Sequence, residues 1–221
     1  MPTARPPRPL RPVRRRPDRY HHGDLRRALL LEAVRTIHAD GAAALTLRGV
    51  GDRLGVSRTA LYRHFADKQA LLTEVAAEGF RMLRAALLKA WGQGGRRGFD
   101  EMGHAYVRFA VMHPSHYRVM FGGLAGKGGN DQGHAAKAAA GPDHAEVDEG
   151  GNAFQVLVDA IVAEQAAGRF RRDDPLALGL YIWSMVHGVA MLTLDGLVPP
   201  PMTTEALVTV AVARMHDGID R

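Results

Sequence analysis

The chain contains no cysteine. Disulfide bonds and thiolate chemistry are therefore excluded, and a reducing compartment is expected. Aromatic residues make up only 6% of the 221 residues. No uninterrupted apolar run approaches the ~20 residues that a membrane span requires. The N-terminal arginines are not followed by the apolar segment of a secretory signal. These absences predict a soluble, cytoplasmic protein that does not contact a membrane.

The sequence also lacks the patterns of several common functional classes. It shows no strand-like alternation and no internal repeat, so the expected fold class is all-α. It contains no phosphate-binding loop, no H-E-x-x-H motif and no nucleophile elbow, so we expect neither an enzyme nor a bound cofactor. Eleven histidines raise the possibility of a metal site, above all His21-His22 and His134 with His144. Sequence neighbours on a helix rarely share a metal, and the second pair lies in a predicted loop, so no metal site is predicted.

Positive charge is concentrated at the N-terminus. The formal net charge is +6, and residues 1–19 alone hold seven arginines against one aspartate. The remaining residues are neutral overall. Six prolines in the same segment prevent it from forming a helix. We interpret residues 1–20 as a disordered basic arm that could lie on phosphates. The alternative is a solubilising leader or the product of a misassigned start.

Helical periodicity, capping residues and breakers divide the rest of the chain into about nine helices. Asp24, Thr46, Ser57 and Asp67 are suited to N-caps, and Gly41 and Gly55 to helix ends. Residues 122–150 are rich in Gly, Ala, His and Asp, which predicts a long mobile loop. The predicted helices are 24–41, 46–54, 57–65, 67–91, 99–113, 115–121, 152–167, 174–194 and 204–217.

The segment "GVSRTALYRHF", residues 55–65, follows a short helix across a glycine-containing turn. Two short helices joined in this way form a helix-turn-helix unit. Apolar residues of both helices can pack on the first helix, which leaves the start of the third helix projecting outward. Arginine on such a helix can bind guanine O6 and N7 in the major groove. Arg58, Thr59 and Arg63 are therefore the candidates for reading bases.

Groups suited to phosphate contacts surround these positions. Thr46 and Ser57 lie at helix N-termini, where backbone N–H groups favour an anion. Tyr62 and His64 can donate hydrogen bonds, and Lys68 occupies a first turn that disfavours a cation unless an anion is near. The alternative interpretation is that the aromatic residues are core and the charges form a solvated face. For Phe65 we expect the core role.

The segment "LTLRGVGDRLGVSRTALYRHFADKQALL" resembles the DNA-binding segment of the TetR family of transcriptional regulators. Upstream, "YHHGDLRRALLLEA" resembles the first helix of one branch of that family. The resemblance implies a three-helix DNA-binding head, here residues 21–68, and a helical effector-binding and dimerisation domain, residues 69–221. It implies the base-reading and phosphate roles given above. Gly49 and Gly51 depart from the family pattern, and each costs ~1 kcal/mol relative to alanine in a helix.

Two segments of the C-terminal half, "WSMVHG" and "VMHPSHYRVMF", resemble the TetR C-terminal domain named for its Trp-His-Gly signature. Gly188 in this signature permits close helix approach. His187 lies on an apolar helix face, so it needs a polar partner, which could be a core side chain, a water or a ligand. The candidate pocket residues are aromatic, methionine and histidine side chains: Tyr106, Phe109, Met112, Tyr117, Met120, Phe121, Phe154, Trp183, His187 and Met191.

These features predict a sequence-specific transcriptional regulator. The resemblance implies a homodimer formed by the last two helices, which carry wide apolar surfaces, and binding to an inverted-repeat operator in double-stranded DNA. The expected mechanism is repression that a small apolar effector relieves. The alternatives are a nonspecific nucleoid-type protein driven by the basic arm, or a ligand-dependent activator. The sequence identifies neither the operator, nor the effector, nor the target genes.

Overall fold

The computed structural model describes residues 22–92, 94–123 and 153–220. Over these ranges the chain forms nine α-helices and one isolated antiparallel bridge, between Phe170 and Asp220, so the predicted all-α fold is confirmed. The predicted arm and all but the first two residues of the predicted loop 122–150 lie outside the described residues. The helices are α1 His22–Ala44, α2 Leu47–Leu54, α3 Arg58–Tyr62, α4 Lys68–Trp91, α5 Gly95–Met112, α6 Pro114–Phe121, α7 Ala153–Ala166, α8 Pro175–Leu194 and α9 Thr204–Ile219.

Side-chain caps begin α2, α3 and α4 at the predicted residues. Thr46 Oγ1 accepts a hydrogen bond from Gly49 N at 3.0 Å, Ser57 Oγ from Ala60 N at 3.2 Å, and Asp67 Oδ1 from Ala70 N at 2.8 Å. Each cap satisfies a backbone N–H that has no partner inside its own helix. These three caps fix where the short helices start and so set the direction of α3.

Glycine ends one helix of the N-terminal head and breaks another. Gly55 adopts the left-handed conformation with φ 66° and ψ 25°, which only glycine reaches without a steric penalty. Gly41 interrupts α1 with φ 80° and ψ 161°, so the residues from 42 to 44 form a last turn in a new direction. The predicted stop at Gly41 therefore marks a break in α1, and helical structure continues for three more residues.

The apolar core of the molecule extends into the head. Leu29 and Ala33 of α1, Val50 of α2, Leu61 of α3 and Phe65 after α3 are all at most 3% exposed. Complete burial of a leucine or phenylalanine side chain stabilises the fold by about 1.5–3 kcal/mol. This packing holds α3 on the outside of the head.

Glycine in α2 has a packing role in this chain. A Cβ atom on Gly51 would lie 3.0 Å from Leu61 Cδ2, so glycine lets α3 approach α2 closely. Arg53 adds a polar link between α2 and α1, since it donates to Thr36 Oγ1 at 2.9 Å and to Asp40 Oδ2 at 3.2 Å. The departure at Gly51 thus lowers helix propensity and at the same time permits the close contact.

Besides the end of α1, two helix boundaries differ from the predictions by three residues or more. Helix α3 ends at Tyr62 rather than near Phe65, because His64 N bonds to Leu61 O and tightens the chain into a turn. Helix α5 begins at Gly95 rather than near Phe99. Gly94, with φ 66° and ψ 165°, and Gly95, with φ 58°, both adopt positive φ where the chain enters α5. Arg96 in the first turn of α5 forms an ion pair with Asp220. The glycine-rich segment is therefore partly helical.

The C-terminal domain packs α5 against α4, α8 and α9, with α7 against α4 and α8. Aromatic rings pack together near the start of α5, where those of Phe99 and Phe170 meet edge to face with their centroids 4.8 Å apart. His216 of α9 is buried and bonds Asp100 Oδ1 through Nε2 at 2.5 Å and Asp220 Oδ1 through Nδ1 at 2.8 Å. This histidine joins the start of α5 to the end of α9.

Helix α8 is more apolar than the sequence analysis expects. The helix has 20 residues and a mean hydropathy of 1.5, so by length and composition alone it is long and apolar enough to cross a membrane. One side of the helix, including Ile182, Val186 and Val189, is buried in the domain core. Leu176, Leu180 and Leu192 remain exposed on the other side. The helix is therefore a core element with an additional apolar face.

Candidate DNA-binding surface and effector cavity

The three predicted base-reading residues lie on the outside of the head. Arg58 and Thr59 form the first turn of α3, Arg63 follows its last residue, and all three side chains are exposed. No ion pair engages Arg58 or Arg63 within the described ranges. Both guanidinium groups are therefore available to a ligand outside the chain, and each offers the planar set of donors that matches a guanine edge.

The predicted phosphate-contacting residues surround this position. Thr46 and Ser57 are exposed, and as caps they accept a hydrogen bond while keeping a hydroxyl proton to donate. Tyr62 is 55% exposed, which is high for an aromatic side chain. His64 is half-buried. Phe65, by contrast, is 3% exposed and belongs to the core.

Lys68 has a partner inside the chain. Its Nζ donates to Ala43 O at 3.2 Å, in the last turn of α1. A free helix carbonyl carries partial negative charge, so this bond offsets the unfavourable position of the lysine at the start of α4. The dipole argument alone therefore no longer requires a phosphate near Lys68. Two of the three ammonium protons remain available to another acceptor.

A second candidate site lies inside the C-terminal domain. A cavity that opens to solvent is lined by residues of α4 to α9; the space free of protein atoms there is about 780 Å³, which includes solvent outside the opening. Its aromatic residues are Phe80, Phe99, Tyr106, Phe121, Phe154 and Trp183. The rest of its wall is formed by Leu83, Leu87, Met102, Gly103, Ala153, Leu157, Ile182, Val186, Val212 and Met215. None of these described wall residues carries a formal charge.

Four of the ten predicted pocket residues line this cavity: Tyr106, Phe121, Phe154 and Trp183. The other six do not. Met112 is 67% exposed at the end of α5, while Phe109 is buried and its ring lies 5.1 Å from that of His113. Met120 is buried against Gly79, and Met191 is half-buried outside the cavity. Tyr117 and His187 stand behind the wall and contact Tyr106.

The contribution of α4 to the cavity was not predicted. Phe80, Leu83 and Leu87 form a strip along its second half, at spacings of three and four residues. The same apolar periodicity occurs in the first half of α4, which packs on the head. Its continuation into the second half is the signal that could have identified these three residues. The strip means that the helix leaving the head also forms one wall of the cavity.

Four polar side chains form a connected network at the cavity wall. Trp183 Nε1 donates to the Tyr106 hydroxyl at 2.9 Å, and the Tyr117 hydroxyl lies 3.1 Å from the same oxygen. His187 Nδ1 is 2.7 Å from the Tyr117 hydroxyl and 3.0 Å from that of Tyr106. The histidine that sequence analysis left without an assigned partner therefore has two phenolic partners in the core.

The whole network is uncharged near neutral pH. Burial lowers the pKa of His187 below the ordinary value for imidazole. Burial raises the pKa of Tyr106 to about 12. Burial, and then the neighbouring Tyr106, also raise the pKa of Tyr117. In each case the charged form is the one that loses its water. The network thus offers hydrogen bonds without a counter-charge.

Gly188, which the sequence analysis expects to permit close helix approach, faces no other helix among the described residues. Apart from the chain neighbours of Gly188 and the adjoining backbone of α8, no atom of the described residues lies within 4 Å of a Cβ atom built on Gly188. The open side of α8 around it carries exposed side chains, including Leu180, Tyr181 and Leu192. Among the described residues, no group of three or more His, Asp or Glu could hold a metal ion. His21, His134 and His144 lie outside those ranges.

Comparison with known proteins assigns both halves of the chain. Residues 29–75 match the family model of the bacterial regulatory proteins of the TetR family, and residues 99–215 match the tetracyclin repressor-like C-terminal domain. The chain belongs to the TetR family. Members of this family are non-enzymatic, DNA-binding transcriptional regulators. The C-terminal match is consistent with the Trp-His-Gly type of domain.

Solved structures of similar proteins share the fold of this TetR-family chain. A Rhodococcus sp. RHA1 protein of unknown function is 31% identical, with a TM-score of 0.75 and coverage of 93% of this chain and 100% of its own. The TetR-family regulator PfmR from Thermus thermophilus is 21% identical, with a TM-score of 0.63 and coverage of 87% and 99%. A TetR-family regulator from Marinobacter aquaeolei is 18% identical, with a TM-score of 0.61 and coverage of 89% and 96%. Among curated proteins, none matches the chain.

Proposed function

We propose that this TetR-family regulator is a cytoplasmic homodimeric repressor that binds an inverted-repeat operator and leaves it when an apolar effector enters the C-terminal cavity. The DNA-binding part is carried by Arg58 and Arg63, which are exposed and form no ion pair with the described residues. Arg58 begins α3 and Arg63 directly follows it, and the direction of this helix is fixed by caps and core packing. On an ordinary solvent-exposed helix face, arginines more often form ion pairs with acidic residues three or four positions away.

In this proposal α3 enters the major groove. Arg58, Thr59 and Arg63 contact base edges, and Thr46, Ser57, Tyr62, His64 and Lys68 contact phosphates, which set the register of the helix on the duplex. Lys68 would share its ammonium group between Ala43 O and a phosphate oxygen. The remaining two ammonium protons make this sharing possible without breaking the intramolecular bond.

The dimer part of the proposal is supported by apolar surface that one chain does not bury. Leu180, Tyr181 and Leu192 on α8 and Val210 on α9 are all at least 42% exposed. Exposed apolar patches of this kind are typical of protein interfaces. The open surface at Gly188, between these side chains, would let a partner helix approach closely. A two-fold dimer places two α3 helices about 34 Å apart, in successive major grooves.

Coupling between cavity and head would run through α4 and α6. Helix α4 begins directly after the head and contributes Phe80, Leu83 and Leu87 to the cavity wall. Helix α6 contributes Phe121 to the wall and packs against both α1 and α4. An effector that moves either helix would change the separation of the two heads. The dimer would then no longer fit both half-sites.

Selection of bound fragments from random double-stranded DNA at physiological salt tests the proposal. We expect an inverted repeat with half-sites about one helical turn apart. Recovery of no shared sequence would overturn the operator part. Recovery of a single unrepeated half-site would overturn the dimer part and leave base reading intact.

The nucleoid-type alternative rests on the arginines of residues 1–19. Deleting these residues separates the two functions. If the arm carries all of the affinity, binding to the selected fragment and to random DNA falls together. If the head reads sequence, the truncated protein keeps its preference and only the dependence on salt becomes shallower. The activator alternative differs in its output, so transcription in vitro from a template carrying the operator distinguishes it from repression.

A further inference from the structure

The effector cavity is mostly apolar, but its few polar groups are connected by hydrogen bonds. These groups indicate which class of ligand the cavity could bind. Of the described side chains that form the wall, Tyr106 and Trp183 carry nitrogen or oxygen atoms. The Trp183 N–H is already donated to the Tyr106 oxygen at 2.9 Å. The phenolic proton of Tyr106 is therefore the group through which the wall could donate a hydrogen bond to a molecule in the cavity.

Where that proton goes depends on His187. If the imidazole proton is on Nδ1, it is donated to the Tyr117 oxygen at 2.7 Å, and Tyr117 donates to Tyr106 at 3.1 Å. Tyr106 then accepts from both Trp183 and Tyr117. Its own proton has no acceptor among these three neighbours, because His187 Nδ1 is protonated.

The other tautomer gives the opposite result. If the imidazole proton is on Nε2, Nδ1 accepts a hydroxyl proton from Tyr106 or from Tyr117. The Tyr106 proton is then bound either to His187 or to the Tyr117 oxygen. In this form an acceptor group in the cavity would have to compete with His187 or Tyr117 for the Tyr106 proton, whereas the Nδ1–H form leaves that proton without an acceptor among these neighbours. Such an acceptor would therefore favour the Nδ1–H form.

Charge excludes one large class of occupants. Among the described residues, no cationic side chain lies in the cavity wall, and the groups behind the wall at Tyr106 are the neutral network of Tyr117 and His187. Moving a carboxylate into such a site without a counter-ion removes its water and supplies little in return. A neutral carbonyl or ether oxygen loses far less water and recovers a hydrogen bond from Tyr106.

We propose that the effector is a neutral, largely apolar molecule with one hydrogen-bond acceptor, such as a ketone or ester carbonyl, which accepts the Tyr106 hydroxyl proton. This inference rests on the proposed effector function and adds the chemical class of the ligand. Tyr117 of the same network lies on α6, which packs against α1 and α4. Tyr106, which would recognise the effector, thus contacts a residue of the helix that packs against the head.

Isothermal titration calorimetry of the full chain without DNA tests the inference with three probes of similar shape: butyrophenone, butylbenzene and 4-phenylbutyrate. At neutral pH we expect the ketone to bind about tenfold more tightly than the hydrocarbon, from one net hydrogen bond. We expect the carboxylate to bind at least about tenfold more weakly than the ketone. Carboxylate binding equal to that of the ketone, or no binding by any probe, would overturn the inference.

Two variants assign the effect to Tyr106. Tyr106→Phe removes the hydroxyl, so we expect ketone and hydrocarbon to bind equally, with hydrocarbon binding unchanged as evidence that the cavity is intact. Thr73→Val removes an exposed hydroxyl of α4 outside the cavity and should preserve the ketone preference. If Tyr106→Phe does not fold, Tyr117→Phe serves in its place. Without Tyr117, the Tyr106 hydroxyl is the remaining phenolic donor to His187 Nδ1 in the Nε2–H form, and this competition for its proton should reduce the preference. A preference retained in the folded variant overturns the inference.

These measurements are independent of the operator. A chain that binds the ketone through Tyr106 but selects no DNA sequence would keep this inference and overturn the repressor proposal. A chain that selects an inverted repeat but binds no neutral probe would overturn this inference and leave the operator part of the proposed function intact.

Discussion

Arg26 and Glu74 form a two-pronged ion pair that joins the first helix of the head to α4. The distances are 3.1 Å from Arg26 Nη1 to Glu74 Oε1 and 2.7 Å from Nη2 to Oε2. The same guanidinium group lies over the ring of Phe65, 5.4 Å from its centroid. Arg26 therefore contacts α4 and the chain just after α3 at once, and it adds a polar link between the head and the rest of the molecule.

Glu74→Gln should weaken this connection without unfolding the protein. The pair is partly exposed, so we expect the free energy of unfolding to fall by only about 0.5–1 kcal/mol. Operator affinity should fall several-fold, because a loosely held head must be ordered on binding. Urea denaturation and gel-shift titration measure the two effects. Glu101→Gln, which breaks the Arg108 pair within α5, is the matched control and should leave operator affinity unchanged.

The same pair predicts a dependence on pH. The hydrogen bond from Arg26 is the main cause that lowers the pKa of Glu74 below 4.5, although burial opposes it. Since the folded-state pKa is lower than the unfolded one, the stabilisation is complete well above pH 4.5 and is lost as the pH falls through the lowered value. The difference in melting temperature between the native chain and Glu74→Gln should therefore be full at about pH 7 and shrink progressively as the pH is lowered below 4.5. A difference that persisted in acid would contradict this assignment.

Replacing either outward arginine of the recognition region should reduce specific binding. Arg58→Ala and Arg63→Ala should each reduce affinity for the selected operator by about 1–3 kcal/mol, with a smaller effect on random DNA. Arg172→Ala removes an equally exposed positive charge far along the chain and controls for net charge. Competition gel shifts measure both affinities. Equal losses for operator and random DNA would mean that these arginines contact only phosphates.

A charge placed on the open face of α8 should separate the proposed dimer. Leu192 is 43% exposed, and Leu192→Glu would bury a carboxylate against the partner helix. Sedimentation velocity should then show a monomer, and operator binding should weaken with it. Val162→Glu on α7 introduces the same charge at a residue that is 48% exposed and should remain dimeric. A dimeric Leu192→Glu protein would place the interface elsewhere.

A methyl group at position 79 should disturb the contact between α4 and α6. A Cβ atom there would lie 2.5 Å from Met120 Sδ and 3.2 Å from His116 Cβ. We expect Gly79→Ala to destabilise the protein by about 1–3 kcal/mol, although alanine favours a helix. At Gly218 the nearest atom, Tyr181 Oη, is 3.6 Å away, so Gly218→Ala should be neutral or stabilising. Chemical denaturation compares the two. Equal stability would show that Met120 moves aside freely.

The head could be predicted from sequence because its determinants are local. Thr46, Ser57 and Asp67 bond to backbone atoms three residues away, so their spacing alone specifies the caps. The cavity depends on how distant helices cross. Tyr117 and Met112 both belong to an aromatic and methionine-rich segment, yet one is wholly buried behind the cavity and the other is 67% exposed. Residue type predicted an apolar site, and tertiary packing decided which side chains line it.

Lys68 shows the same limit on a single residue, since nothing near it in sequence indicates that Ala43, 25 positions away, accepts its proton. The break at Gly41 turns the end of α1 so that this carbonyl meets the ammonium group. The flexible stem of the lysine is consequently ordered in the free protein. Immobilising such a side chain on association opposes binding by about 0.5–1.5 kcal/mol. In the proposed complex that entropy loss has already occurred during folding, so Lys68 would meet a phosphate in a pre-organised conformation.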